Sequence, residues 1–182
     1  MTPYFYSPFV VPGRKIQSFK KILEHIPAIP YERWLEPFAG SCIVGINANP
    51  EEALFADNNP YIMQFFIQLK KGIITPEKIQ TYGEKFIQKI RRYKYLCRHF
   101  SEHANCLDYF FISLFALGGF VTFTQAGNLV ASPGRIPKRL LLKNTLYDLI
   151  RRMRSTWEFK MCSYTQVLKG QQQRICCMQI LL

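Results

Sequence analysis

Acidic side chains are scarce in this chain, its cysteines are unpaired in pattern, and it has no apolar run long enough for a membrane. Each shortage removes a class of protein. Twelve Asp and Glu stand against 24 Lys and Arg in 182 residues, a formal charge of +12, so the natural counterpart is a polyanion or an anionic surface. The six cysteines, Cys42, Cys97, Cys106, Cys162, Cys176 and Cys177, form no C-x-x-C pair and no Cys/His cluster at metal spacing. That argues against a metal site and a secreted disulfide framework, and for reduced thiols in a cytoplasm. Residues 1–15, MTPYFYSPFVVPGRK, lack a basic segment ahead of a continuous apolar stretch and do not read as a secretory signal. The uncharged run Tyr109–Phe123 gives way to Thr124, Gln125 and Asn128 after about 15 residues, short of the roughly 20 that a bilayer requires. It is predicted as a buried core helix ending near Gly118 and Gly119, with no membrane partner. No internal repeat is present, and low complexity is confined to Gln171–Gln173.

What is present favours a packed protein with two kinds of surface. A hydrophobic fraction of 48% with 15% aromatics is incompatible with disorder. Residues 1–62 hold 5 basic and 6 acidic side chains, residues 63–157 hold 16 and 5, and residues 158–182 hold 3 and 1. A near-neutral beginning followed by a strongly basic stretch suggests a small-molecule site beside a phosphate-binding surface; the competing reading is a merely solvated basic face.

The pattern along the chain is α/β. Arg33–Phe38 reads as a short strand, AGSC as a tight turn, IVGINAN as a helix start, and Ala53–Asp57 as a second buried strand ending on an acid. That order is the front half of a doubly wound nucleotide-binding sheet. Asp57 follows the turn by about 20 residues, where a carboxylate can accept from ribose hydroxyls. Asn59 and Pro60 should start a helix that stops at Gly72, and a second helix should run from Pro76 to about Leu96, studded with Lys85, Lys89, Arg91, Arg92 and Lys94. Thr122–Lys138 is loop-like. A third helix is predicted over Leu140–Arg154 with Arg151, Arg152 and Arg154 as a basic patch, then a strand at EFKMC and a turn and helix at SYTQVL.

The most specific signal is EPFAGSC at Glu36–Cys42, where small residues after a buried strand let the backbone approach a ligand closely. Joined to ADNNPYI at Ala56–Ile62, it resembles the cofactor motifs of Dam-like adenine-specific DNA methyltransferases, approximately EPFxGxG and ADxNxxLI. PFVVPGRKIQSFKKILEHIP at Pro8–Pro27 resembles that family's N-terminal motif, approximately W/Y-x-G-G-K followed by a helix. The resemblance implies a partial Rossmann-like, S-adenosylmethionine-dependent sheet with an inserted, mostly helical target-recognition subdomain. It implies three parts: residues 1–62, the start of the cofactor domain; 63–156, the recognition subdomain; and 157–182, the start of the catalytic part. It assigns Val11, Gly13, Lys15, Glu36, Pro37, Phe38, Gly40, Asp57 and Asn58 to the cofactor; the competing reading of Lys15 is an ordinary surface lysine. Arg14 and Cys42 stand where the family has glycines, and both could crowd the cofactor, because a side chain resists positive φ.

FALGGFVTFTQAGNLVASPGRIPK resembles the loop that enters DNA in relatives, without their Asn-rich version. Arg135, Lys138 and Arg139 are then contacts to phosphate or base. Phe120 and Phe123 are either wedges at a flipped base or core residues. Double-stranded DNA is the expected partner, a cognate restriction endonuclease a further one, and a monomer the expected state.

One part of the family pattern is missing. Adenine methyltransferases extract the base and clamp its exocyclic amine with Asp/Asn-Pro-Pro-Tyr/Phe, and none of the 182 residues forms that tetrapeptide. Where relatives carry it, this chain reads ICCMQILL. Translated from the third base of Cys176, the codons permitted for that segment include Leu-Tyr-Ala-Asp-Pro-Pro. A frameshift between about Ser163 and Cys176 is therefore expected, with a truncated, impaired enzyme as its product; an early stop in the shifted frame downstream of codon 182 would remove that expectation. The competing functions are a DNA-binding remnant without chemistry and an unrelated dinucleotide enzyme, the latter disfavoured because EPFAGSC lacks G-x-G-x-x-G spacing.

Overall fold

The structure, a computed structural model, describes residues 4–26, 31–86, 90–135, 141–169 and 175–177. Its centre is a four-stranded parallel sheet of β1 (Arg33–Glu36), β2 (Ala53–Asp57), β5 (Trp157–Met161) and β6 (Ile175–Cys177), in the order β5-β2-β1-β6. The chain moves outward from β1 to β2 and β5, then crosses to the other side of β1 for β6. This reversal opens a crevice beyond the carboxyl end of β1, the standard ligand position of such sheets. All three predicted strands form, the first stopping at Glu36 before Pro37 and the third starting at Trp157.

Alternation along the strands divides the core. Trp34, Ala53, Phe55, Trp157 and Phe159 join the main cluster, whereas Leu35, Leu54 and Ala56 pack with Val167 of α8 (Tyr164–Lys169) on the opposite face. On the main face lies α3 (Pro60–Lys70), with Phe66 stacked on Phe159 at 5.3 Å. Asn59 caps it as predicted: its Oδ1 accepts from the backbone N–H groups of Tyr61 and Ile62, and Pro60 takes the first helical position. A boundary at residue 62 would fall inside this helix.

Between β2 and β5 the chain forms α4 (Pro76–Glu84), α5 (Ile90–His103), α6 (Cys106–Phe115), a hairpin of β3 (Thr122–Phe123) and β4 (Leu129–Val130), and α7 (Lys143–Arg152). The single helix expected from Pro76 to Leu96 is instead two. Backbone bonds from Lys85 to Tyr82 and from Phe86 to Gly83 tighten the last turn of α4, and α5 continues past Leu96 to His103. The third predicted helix starts three residues later and ends two earlier, at Lys143–Arg152.

The uncharged run is the buried helix α6, and its apolar pattern ends at Phe115, before Gly118. No helix among the described residues is long and apolar enough to cross a membrane. Its one acid, Asp108, is fully buried and fully engaged: Tyr82 Oη donates to one oxygen, while His99 Nδ1 and Asn105 Nδ2 reach the other at 2.6 and 2.7 Å. Buried carboxylates persist only when so partnered. Phe110, Phe111 and Phe115 of α6 belong to the same core cluster as Trp34 and Phe55, so these helices and the sheet share one core.

Candidate functional site

At the carboxyl end of β1 lies a cleft of about 330 Å³, within the size range of small-molecule sites. Three segments that sequence motifs had singled out converge on it. Val11, Gly13, Arg14 and Lys15 come from the N-terminal segment, Glu36, Phe38, Gly40 and Ser41 from the turn after β1, and Asp57, Asn58 and Asn59 from the end of β2. Of the nine residues assigned to a cofactor by resemblance, eight line this cleft; Pro37 is buried in the turn and does not.

Asp57 organises the site. Its Oδ2 accepts from Gly40 N–H and its Oδ1 from Asn59 N–H, each at 2.9 Å. One carboxylate therefore ties the small-residue turn to the start of α3, and each oxygen keeps a lone pair for a ligand hydroxyl. Gly40 comes within contact range of Val11: a Cβ built on it would lie 3.5 Å from Val11 Cγ2.

Glu36 is the buried acid of the cleft, 2% exposed. Its Oε2 accepts from Trp34 Nε1 at 3.1 Å and from Gly45 N–H at 2.9 Å. Desolvation outweighs these two donors and raises the carboxyl pKa from 4.5 to about 8. Phe38 is its opposite, 53% exposed at the rim and stacked on Tyr164 with ring centroids 5.4 Å apart.

The two departures from the family glycines resolve differently. Arg14 has an ordinary negative φ; the left-handed residue of its turn is Gly13, at φ +72°, so the arginine imposes no backbone strain. Cys42 does adopt φ +55°, before α2 (Ile43–Ala48), and is completely buried. Burial, with Glu36 and Asp57 nearby, pushes its thiol well above the usual range, which makes it an inert packing group.

Residues that motif reading missed also reach the cleft. Val121 enters from the segment leading into the hairpin and Tyr109 from α6. Neither position carries a local signal; each depends on how a segment distant in sequence folds back onto the cleft. Burial raises the Tyr109 phenol above its usual range, and Asp57 adds to the effect.

Beside the cleft, the hairpin projects apolar side chains into solvent. Phe120 is 62% and Phe123 41% exposed, so their reading as core residues is corrected: the glycine turn at Gly118 and Gly119 carries Phe120 out of the core, while Phe123 lies at its edge, with ring centroids 6.3 Å from Tyr61 and 6.2 Å from Phe100. The root of the hairpin is tight, because a Cβ on Gly119 would sit 2.8 Å from the Val10 carbonyl. Arg135 is exposed; Lys138 and Arg139 lie outside the described residues. Among the described residues no group of three or more His, Cys, Asp or Glu could hold a metal ion.

A family model described as D12 class N6 adenine-specific DNA methyltransferase matches residues 12–176. No curated protein matches the chain.

Proposed function

From the premise that the chain belongs to the D12 class N6 adenine-specific DNA methyltransferases, we propose that the cleft below the turn Glu36–Cys42 takes S-adenosylmethionine. The carrying observation is the convergence of the N-terminal segment, the small-residue turn and the β2 acid on one crevice at the switch point of the sheet. The donor set fits the group. Asp57 retains lone pairs for ribose hydroxyls, Lys15 offers a cation to a carboxylate, Glu36 backs the turn through its bonds to Trp34 and Gly45, and Phe38 presents an open ring face. Val11, Gly13, Gly40 and Asn58 shape the walls, and Pro37 holds the turn. When bound, the cofactor supplies the methyl group from its sulfonium centre.

The family's substrate is adenine in DNA, and the basic stretch 63–157 with the exposed hairpin is the face we assign to duplex. Phe120 and Phe123 are suited to wedge beside an extracted base, and Arg135, Lys138 and Arg139 to meet phosphates or base edges. Binding through such a face weakens steeply as salt rises.

The 182 residues hold no Asp-Pro-Pro-Tyr clamp, an observation that favours the second reading, a DNA-binding remnant without chemistry. That clamp is what aligns the adenine amine for displacement in the family's pattern. The chain is expected to transfer no methyl group from labelled cofactor above background while still binding cofactor and duplex. Measurable turnover would overturn that reading, and absent binding of both ligands would overturn the function. Asp57→Ala should abolish the rise in melting temperature given by S-adenosylhomocysteine, because it removes the ribose acceptor and frees the Gly40 turn. An undiminished rise would take Asp57 out of the site.

A further inference from the structure

The hydroxyl of Tyr109 has a hydrogen-bond direction that can be deduced. Asn59 Oδ1 accepts from two backbone N–H groups, at 3.1 and 3.3 Å, which fixes the orientation of its amide. The nitrogen end therefore faces Tyr109, and Asn59 Nδ2 donates to Tyr109 Oη at 2.8 Å. A phenol that accepts from an amide keeps its own proton to give, and among the described residues nothing accepts it. The side chain is 4% exposed and lines the cleft. A buried donor without an acceptor is costly unless a ligand or water completes it.

We infer that Tyr109 is a further cofactor-binding residue, donating its phenolic proton to an oxygen of the nucleoside ribose. This rests on the cofactor reading of the cleft. The ribose is favoured over the carboxylate because Tyr109 belongs to the Asp57 side of the site: Asn59, which holds the phenol, also gives its backbone N–H to Asp57 Oδ1. A donor beside an acceptor matches a diol, which needs both, whereas a carboxylate needs donors alone. Asn59 acts as a positioning residue, capping α3 and orienting the phenol through one amide. Because Tyr109 belongs to α6, the recognition region itself would close the nucleoside site.

Tyr109→Phe isolates the hydroxyl. The ring stack on Tyr61 at 5.2 Å and the packing against Phe9 and Phe100 are kept, so the melting temperature of the free protein should fall only by the small amount that losing the Asn59 Nδ2 bond costs. Calorimetric titration of the full chain with S-adenosylhomocysteine and with methylthioadenosine, which has the ribose but no amino-acid arm, reads the effect. The expected result is a loss of about fivefold to tenfold in affinity for both ligands. A loss confined to S-adenosylhomocysteine would move the contact to the amino-acid arm and overturn the ribose assignment. Unchanged affinity for both would remove the hydrogen bond altogether. Failure of the parent chain to bind either ligand would instead remove the cofactor reading, and this inference with it.

Discussion

Glu36→Gln should stabilise the folded protein by roughly 3–5 kcal/mol at about pH 9 and change it little at about pH 4. Burial lifts the folded carboxyl from 4.5 to about 8. Between those values the folded chain holds a proton that the unfolded chain has released. The stability of the parent protein therefore falls as pH rises through that window, by about 1.4 kcal/mol per unit from this group, and the contribution levels off above it. The glutamine cannot ionise, yet its amide oxygen can still accept from Trp34 Nε1 and Gly45 N–H. Urea unfolding of both proteins across pH isolates the difference, since the other titrating groups cancel. Parallel stability curves would mean that Glu36 is ionised in the fold at neutral pH.

Gly45→Ala should be strongly destabilising, costing about 3–5 kcal/mol. The added Cβ would fall 2.3 Å from Phe55 Cε1, 2.4 Å from Glu36 Oε2 and 2.7 Å from Trp34 Nε1. Phe55 and Trp34 are fully buried and Glu36 nearly so, so none can move aside without disturbing β1 or β2. In an exposed helix the same exchange would help, since alanine is the better helix former. Here α2 sits so close to the sheet that a hydrogen atom is all the space admits. Combined with Glu36→Gln, the effects should not add, because both act on one carboxylate. A variant that melts at or above the parent would show that α2 stands farther from β1.

Much of the sheet and of the cleft at its edge is legible in the sequence, because its signals are local. Apolar runs of strand length bounded by turn residues, an acid at the end of β2, and Asn59–Pro60 opening a helix each state their own structure. The parts that were missed depend on distant contacts. The break between α4 and α5 is masked by a basic, amphipathic pattern that continues through it. Phe120 and Phe123 look like core by composition, and only the turn at Gly118 and Gly119 shows that Phe120 leaves it and Phe123 reaches no farther than its edge. Gly45 reads as an indifferent helical residue until Phe55 and Glu36 are seen beneath it. Tyr109 enters the cleft through Asn59, 50 residues earlier in the chain, a pairing that no periodicity encodes.

The sharing of one core by sheet and helices bears on how the two halves act. Val121 reaches the cleft, and Gly119 abuts Val10, so the root of the exposed hairpin and the N-terminal segment that lines the cleft are packed against each other.

Equilibrium titration of the purified chain with S-adenosylhomocysteine bears most directly on the central claim that the turn between Glu36 and Asp57 holds a sulfonium nucleoside. One saturable site per chain, lost in Asp57→Ala, is the predicted result. A folded protein that gives no heat and no protection with this ligand, while still binding duplex DNA, would contradict it.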